Sequence, residues 1–415
     1  MSERTPETPP APTSASSSPS SGRLPAAIWV LTAGTFLMGT SEFVVAGILP
    51  EVASDLDVSV AHAGLAITVF AVGMIIGAPT MALLTLRLPR KTTMMLALAV
   101  FTLGHVGAAL TDSFALLLVS RFVSALATGA FWAVAAVVAS HVVSVDIRSR
   151  ALGIVLGGGM LANVVGVPLG AFGGQVIGWR GPFWGLAVLA ASAVVAVAAA
   201  IPAERTDRAQ PSARRELASL RSGRLWLTLA ACAGVNAGVL SVYSYISPLL
   251  TDRTGISSAL VPVALLLFGA GALIGSVLGG RAGDRRPFGT ALVTTGGSLV
   301  VAAGLTVFAD HVVPTFVLVA VLGLVGLSAN PVLVSLAVGH GGVAPTLPSA
   351  MATSMFNAGT AIGTAITACL IGTDLGPTAA PITGIVFAAV TFIPLVTLRA
   401  LERKHDRARR PPSAP

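Results

Sequence analysis

Hydropathy divides the chain into long apolar runs separated by short stretches of charged residues, Pro and Gly. A hydrocarbon layer about 30 Å thick requires about 20 apolar residues in a helix, and twelve runs reach roughly that length. We therefore predict an all-α integral membrane protein with twelve transmembrane helices. The predicted spans are residues 25–48, 61–83, 93–111, 114–139, 150–175, 182–201, 225–250, 259–280, 289–309, 312–338, 347–371 and 379–398.

Composition agrees with this class. Hydrophobic residues make up 54% of the chain and charged residues 10%, whereas about a quarter of a soluble domain is charged. Residues 1–22 are rich in Pro, Ser and Thr, and we expect a disordered cytoplasmic tail. No apolar region with a small-residue cleavage site precedes the first run, so we expect no cleaved signal peptide. Cys232 and Cys369 lie in apolar runs, which indicates neither a disulfide framework nor a metal site.

The basic residues predict an orientation. A pI of 10.9 is compatible with nucleic-acid binding, but no basic face is interleaved with stacking aromatic residues. With a cytoplasmic N-terminus, 22 of the 25 Lys and Arg residues fall on the cytoplasmic side, Arg180 and Arg253 fall outside, and Arg121 lies within a helix. The positive-inside tendency therefore places both termini in the cytoplasm. Binding of lipid headgroups by loop 202–224 or by the C-terminal tail is an alternative role for some of these charges.

An internal repeat predicts two halves. Five residues of the first half recur 198 positions later in the second half: Phe70, Gly73, Ile76, Gly77 and Arg87 become Phe268, Gly271, Ile274, Gly275 and Arg285. We predict an N-terminal six-helix half at 23–201, a cytoplasmic linker at 202–224, a C-terminal six-helix half at 225–399 and a basic cytoplasmic tail at 400–415. Repeated helical halves are typical of transporters in which the halves move around a central substrate.

Four stretches carry a family resemblance: Gly77-Ala-Pro-Thr-Met-Ala-Leu-Leu-Thr-Leu-Arg-Leu-Pro-Arg-Lys91 with a second copy ending Asp284-Arg285-Arg286, Arg121 with Gly129, Gly159 with Gly166-Val-Pro168-Leu-Gly170, and Gly39-Thr-Ser-Glu-Phe43. From about residue 23 to 399 the chain resembles the major facilitator superfamily. More narrowly, it resembles the twelve-helix drug/proton antiporters, above all the chloramphenicol-resistance exporters of actinobacteria. This resemblance implies a multi-pass protein of the bacterial cell membrane.

The resemblance assigns roles to two of these motifs. It implies a gating role for Gly77, Arg87, Arg90, Asp284 and Arg285. The family has Asp just before the first Arg of the loop motif, but this chain has Leu86 there, so we assign the cytoplasmic latch mainly to Asp284 and Arg285. Topology alone would also explain the arginines. The antiporter motif, Gly159, Gly166, Pro168 and Gly170, would permit close helix packing and a bend.

Glu42 is the only acidic residue within the apolar runs. A carboxylate in the membrane is unfavourable unless it is neutralised, paired or hydrated, and it is a functional candidate for that reason. At 1.5 Å per residue, Glu42 lies about 9 Å and Arg121 about 10 Å below the outer face. We predict that Glu42 is the protonation site and that Arg121 tunes it. The alternative is a static pair at a wet outer interface. His105 lies at about the same depth, but we expect a core histidine because the third helix packs peripherally in the family.

In the family, helices one, four, seven and ten line the substrate cavity. Their candidate residues here are Phe36, Phe43, Phe131, Trp132, Asn236, Tyr243, Tyr245 and Asn330. Apolar and aromatic walls with few polar groups suit an amphipathic molecule of drug size.

The predicted function is proton-coupled antiport that exports a drug-like molecule, with chloramphenicol or a related amphenicol as the best substrate, by alternating access. The alternatives are a proton-coupled importer of a sugar or other small solute and, less favoured, a polytopic membrane enzyme. The sequence contains no Walker-type loop, no His-Glu-x-x-His helix and no Gly-x-Ser-x-Gly elbow. We therefore expect no cofactor, no metal and no catalytic residues, with lipid, protons and the transported molecule as partners. A monomer suffices, since one chain holds both halves.

Overall fold

A computed structural model describes residues 24–84, 88–143, 148–202, 218–341 and 346–409. Within these ranges, twelve helices are long and apolar enough to cross a membrane. They are α1 (Ala26–Gly47), α2 (Leu65–Leu84), α3 (Arg90–Leu110), α4 (Phe114–His141), α5 (Arg148–Leu161, Ala162–Gly166 and Val167–Ile177), α6 (Arg180–Ala200), α7 (Gly223–Ser244), α8 (Val261–Arg285), α9 (Pro287–Phe308), α10 (Val312–Gly326 and Ala329–His340), α11 (Thr346–Ile371) and α12 (Ala379–Arg409). Short segments lie beside them at Leu49–Asp55, Val60–Ala63, Ile246–Pro248, Leu249–Arg253, Ser258–Leu260 and Gly376–Thr378.

Proline explains three departures from regular helix. Pro168 has no N–H for the carbonyl of Val164, and α5 contains a π-helical segment, Ala162–Gly166, at that point. In α10 the break falls at Leu327, whose carbonyl would have needed the missing N–H of Pro331. Pro248 in the same way explains why α7 ends at Ser244, although the apolar run continues to residue 250. At the C-terminus, α12 continues to Arg409, so the first part of the predicted tail 400–415 is helical. Most of the predicted linker, residues 203–217, lies outside the described residues, as does the predicted tail 1–22.

The two halves pack in the same way. In the first half α1 packs against α5 and α6, α2 against α4, and α3 against α4 and α6. In the second half α7 packs against α11 and α12, α8 against α10, and α9 against α10 and α12. Each of these contacts of the first half thus has its counterpart six helices later, which confirms the predicted duplication.

The repeated glycines form equivalent helix crossings. A Cβ added at Gly73 would lie 2.9 Å from the carbonyl oxygen of Phe122 in α4. A Cβ at Gly271 would lie 2.2 Å from the carbonyl oxygen of Ala320 in α10, which is 198 residues after Phe122. Neither position has room for a side chain, because the two helix backbones are in contact. The repeated residues therefore mark a crossing that both halves require.

The halves meet between the predicted outer face and the middle of the bundle. The main contacts are α2 with α11 and α5 with α8. Across the described residues three side-chain hydrogen bonds join the halves: Gln175 Nε2 to Ser258 O (2.7 Å), Thr68 Oγ1 with Thr364 Oγ1 (2.8 Å) and Ser354 Oγ to Ile75 O (3.2 Å). Ile75 lies near the midpoint of α2. The structure is therefore closed at the predicted outer face.

Candidate proton and substrate sites

Glu42 lies on α1 next to the contact between the halves. The following residue, Phe43, packs edge-on against Tyr243 of α7, with ring centroids 5.8 Å apart, and Tyr243 stacks on Phe268 of α8 at 4.3 Å. Ser41 and Val44 beside Glu42 are buried, whereas Glu42 is half-buried. Glu42 thus lies in the interior of the bundle, next to an aromatic cluster shared by both halves.

Arg121 of α4 is fully buried beside Glu42. Its Nη1 donates to Ser41 Oγ at 3.0 Å, and two weaker contacts of 3.5 Å run from Nε to Ala66 O and from Nη2 to the backbone oxygen of Glu42. The guanidinium carbon lies 4.2 Å from the centre of the Phe70 ring. Arg121 and Glu42 interact electrostatically, but the ion pairs of the described residues do not include this one. The cation is therefore held mainly by neutral groups.

His105 of α3 belongs to the same cluster. Its Nε2 lies 2.8 Å from Ser41 Oγ, and its Nδ1 lies 2.8 Å from Phe101 O and 3.4 Å from Ser124 Oγ. Only 1% of its surface is exposed. His105 was already a candidate from the sequence, whereas Ser41, which joins it to Arg121, was not. The single pointer to Ser41 was its place beside Glu42.

The predicted substrate residues fall into three groups. Phe43 and Tyr243 lie in the aromatic contact between the halves. Asn236 and Asn330 meet each other, with Asn330 Nδ2 3.3 Å from Asn236 Oδ1. The remaining four lie elsewhere: Phe36 and Trp132 are half-buried, while Phe131 and Tyr245 are buried. Phe131 packs over Gly34 of α1, and Tyr245 packs over Gly64 and donates to Thr364 O at 3.3 Å.

Two predicted substrate residues have buried polar atoms without a hydrogen-bond partner among the described residues, namely Tyr243 Oη and Asn330 Oδ1. Leaving such a group unpaired is unfavourable. Each atom therefore has a hydrogen-bonding capacity that the described residues leave unused.

The antiporter motif packs α5 against α1. A Cβ at Gly166 would lie 2.0 Å from Thr40 Oγ1, and one at Gly170 would lie 2.4 Å from a methyl group of Val44. Gly159 accommodates the ring of Trp132, 2.6 Å from where its Cβ would be. Pro168 is buried next to the π-helical segment. Because Thr40 and Val44 flank Glu42, α5 contacts α1 on both sides of the acidic residue.

The predicted gating residues lie toward the predicted cytoplasmic face. Gly77 packs on the backbone of Leu126, Arg90 begins α3, and Arg87 lies outside the described residues. Asp284 and Arg285 are exposed and line a groove of about 1070 Å³ between α8, α9 and α10. Neither forms an ion pair with another described residue.

Two matching six-helix halves, the first of which holds a buried polar cluster next to its contact with the second, define a membrane transporter of duplicated architecture. The family model of the Major Facilitator Superfamily matches residues 31–377, and the chain belongs to this superfamily. It is a multi-pass membrane protein, and the predicted fold and superfamily are confirmed.

Several relatives match most of the chain. The chloramphenicol resistance protein of Streptomyces lividans is 38% identical over 357 residues, which cover 85% of this chain and 91% of the relative. The inner membrane transport protein YdhP of Escherichia coli K12 is 31% identical over 363 residues, or 88% of this chain and 93% of the relative. Among solved structures, a bacterial homolog of the human lysosomal transporter Spinster, in an inward-facing and occupied conformation, superimposes with a TM-score of 0.73. The superposition covers 93% of this chain and 98% of the Spinster homolog, and the sequences are 16% identical. This similarity shows a shared fold alone.

Proposed function

We propose that this transporter is a proton-coupled antiporter that exports a neutral, drug-like molecule, with chloramphenicol or a related amphenicol as the best substrate. Glu42 is its protonation site. Substrate that binds from the cytoplasm favours loss of the proton from Glu42, and after release a proton from outside reloads the carboxylate. The protein acts as a monomer in the bacterial cell membrane, with both termini in the cytoplasm.

One observation carries this proposal: Glu42 lies beside a buried cation to which it is not ion-paired. A carboxylate in a direct ion pair is strongly biased toward its charged form, whereas one beside a cation held by other groups can exist in both forms. The adjoining aromatic contact between the halves links the site to the element that must open.

The substrate class rests on the relatives and on the groups available for binding. The most similar relative reported above is named for chloramphenicol resistance. The unpartnered Tyr243 and Asn330 atoms, together with Phe36 and Trp132, offer hydrogen bonds and apolar surface without a further charge. A neutral molecule with an aromatic ring and polar substituents matches that combination.

Export in everted vesicles at a fixed proton gradient tests the proton site. We expect Glu42→Gln to lose nearly all coupled export, because Gln cannot release a proton. Thr102→Val is the control, since among the described residues the Thr102 hydroxyl bonds only to its own helix, at Leu98 O. Undiminished coupled export by Glu42→Gln would remove Glu42 from the mechanism.

Drug susceptibility tests the substrate. A host deleted for its own exporters, with and without this chain, is compared over a panel that contains chloramphenicol, other amphenicols and unrelated drugs. We expect resistance to amphenicols that depends on Glu42. Accumulation of a solute by intact cells would instead favour the importer.

A further inference from the structure

We propose that His105 is a positioning residue for proton exchange: as a neutral side chain it fixes the Ser41 hydroxyl, which in turn holds Arg121 away from a direct ion pair with Glu42. This inference rests on the proposed function. It concerns a chain of three side chains from α3, α1 and α4, all nearly or fully buried.

The direction of each hydrogen bond follows from chemistry. Arg121 has only donors, so Ser41 Oγ must be the acceptor in the 3.0 Å contact with Nη1. Phe101 O is only an acceptor, so His105 Nδ1 carries a hydrogen and donates across 2.8 Å. The Ser41 hydroxyl hydrogen then points to His105 Nε2, also 2.8 Å away, which accepts with its lone pair. The chain therefore runs in one direction, from Arg121 through Ser41 and His105 to the carbonyl of Phe101.

This direction requires neutral His105. A hydrogen on Nε2 would leave Ser41 Oγ between two donors, Nε2–H and Nη1–H, and its own hydrogen would need a new acceptor. The second Nδ1 contact, 3.4 Å from Ser124 Oγ, does not change this assignment, because a hydroxyl can accept from Nδ1–H as well. Histidine serves here as a combined donor and acceptor at a fixed separation.

The geometry of α1 explains how these hydrogen bonds affect Glu42. Consecutive residues on a helix point about 100° apart, so the side chains of Ser41 and Glu42 leave α1 in different directions. Arg121 is drawn toward Ser41, toward Ala66 O and onto the Phe70 ring, while its contact with Glu42 is to the backbone oxygen. Glu42 thus remains near a positive charge without being locked to it.

Two substitutions of similar size separate this role from packing. His105→Gln places an amide oxygen near the position of Nε2, where it can accept from Ser41. His105→Asn reaches only as far as Nδ1 and cannot. We expect coupled export to fall by about tenfold in His105→Asn, the usual effect of one lost bond in a charged network, and to stay within about twofold of the parent in His105→Gln.

The pH profile provides a readout that a merely structural role would not move. In His105→Asn and in Ser41→Ala, Arg121 is free to approach Glu42 and stabilise its charged form, so we expect the profile of export to shift toward lower pH. The double variant should behave like either single variant, because both break one chain. Thr102→Val, one turn away on α3, should match the parent.

Nuclear magnetic resonance of the histidine ring nitrogens tests this hydrogen-bond chain without a transport measurement. With ¹⁵N-histidine in the full-length protein, the signal absent from His105→Gln identifies His105. We expect it to show a neutral ring protonated at Nδ1, with an Nε2 signal that shifts in Ser41→Ala. A charged ring or an Nε2–H form would overturn the proposal.

The transport results separate two failures. If the parent shows no proton-coupled export, or if Glu42→Gln exports normally, the proposed function fails, and with it the task assigned to His105. If the parent is coupled and Glu42→Gln is inactive, but His105→Asn has the parental rate and pH profile, the role of His105 alone is overturned.

Discussion

At the scale of single residues, Arg121 shows why a buried cation requires a particular side chain. Its planar guanidinium donates in three directions and stacks on Phe70 at the same time. A lysine ammonium is a compact charge on a flexible stem and shifts its titration readily when buried. The site therefore depends on shape as well as charge.

We expect Arg121→Lys to reduce coupled export at least about tenfold, since one ammonium cannot replace the guanidinium contacts. The measurement is export in everted vesicles, normalised to folded protein. Arg253→Lys is the matched control, because Arg253 pairs with Asp310 at an exposed site. Parental export by Arg121→Lys would show that positive charge alone is sufficient.

Two carboxyl groups in the segment Leu49–Asp55, outside the spans, have opposite pKa shifts. Hydrogen bonds from Trp179 and Arg180 lower the pKa of Asp55, so the stability that Asp55 adds is present at neutral pH and is lost as the pH falls. Glu51 is half-buried, its Oε2 has no partner among the described residues, and desolvation raises its pKa. The folded protein therefore favours protonated Glu51, and that contribution is lost as the pH rises through the folded pKa.

This difference predicts that Glu51→Gln stabilises the protein at pH 7.5, because the amide carries no charge to desolvate. We expect a rise in Tm of about 1–2 °C, measured in detergent, that disappears below the ordinary carboxyl pKa of 4.5. Asp57→Asn, at an exposed position in the same connection, should show no such pH-dependent gain. An equal gain at both pH values would contradict the electrostatic explanation.

At the scale of helices, α5 packs both against α1, which carries Glu42, and against α8 of the second half. One side of α5 packs on α1 at Thr40 and Val44, and its π-helical segment meets α8 at Gly269. A Cβ at Gly269 would lie 2.2 Å from the carbonyl oxygen of Asn163. The helix α5 thus lies between α8 and the turns of α1 on both sides of Glu42.

Gly269→Ala is expected to separate α8 from α5 and to reduce both the Tm and coupled export, because a backbone atom occupies the space of the new methyl group. Gly280→Ala on the same helix is the control, since nothing lies within 4 Å of its Cβ position. There, helix propensity predicts a neutral or slightly stabilising effect. Equal behaviour of the two variants would show that close contact at Gly269 is not required.

Much of the helix arrangement could be predicted from the sequence. Hydropathy located the twelve helices, and the repeat from Phe70 to Gly77 indicated two matching halves, because both signals are local or periodic. The link from His105 to Ser41 could not be predicted, since it depends on the rotation of α1 and α3 about their axes. Depth placed Arg121 level with Glu42, but it could not show that neutral groups would hold the guanidinium.

At the scale of the whole molecule, salt bridges at equivalent positions join the outer loops within each half. In the first half, Arg180 bridges Asp55 and Asp112. In the second half, Arg253 and Asp310 occupy the positions 198 residues after these two carboxylates and pair directly, with Nε to Oδ1 at 2.9 Å. The same two loops are thus joined by a salt bridge in both halves, although Arg253 stands where the first half has Asp55. Each salt bridge lies within one half, so it can persist while the halves move apart.

Alternating access requires that the contacts between the halves at the predicted outer face open in each cycle, and a cross-link there tests it. Thr68 and Thr364 lie in different halves, and their hydroxyl oxygens are 2.8 Å apart. The test variant is Thr68→Cys/Thr364→Cys, in which the native cysteines are removed by Cys232→Ala and Cys369→Ser. We expect this variant to lose coupled export when it is oxidised and to regain it when a reducing agent is added. The control Thr228→Cys/His340→Cys replaces a 2.9 Å contact within the second half, and its oxidation should leave export unchanged, because each half moves largely as a unit. Full export by the oxidised Thr68/Thr364 pair would show that α2 and α11 need not separate, and the outer pathway would then have to open elsewhere.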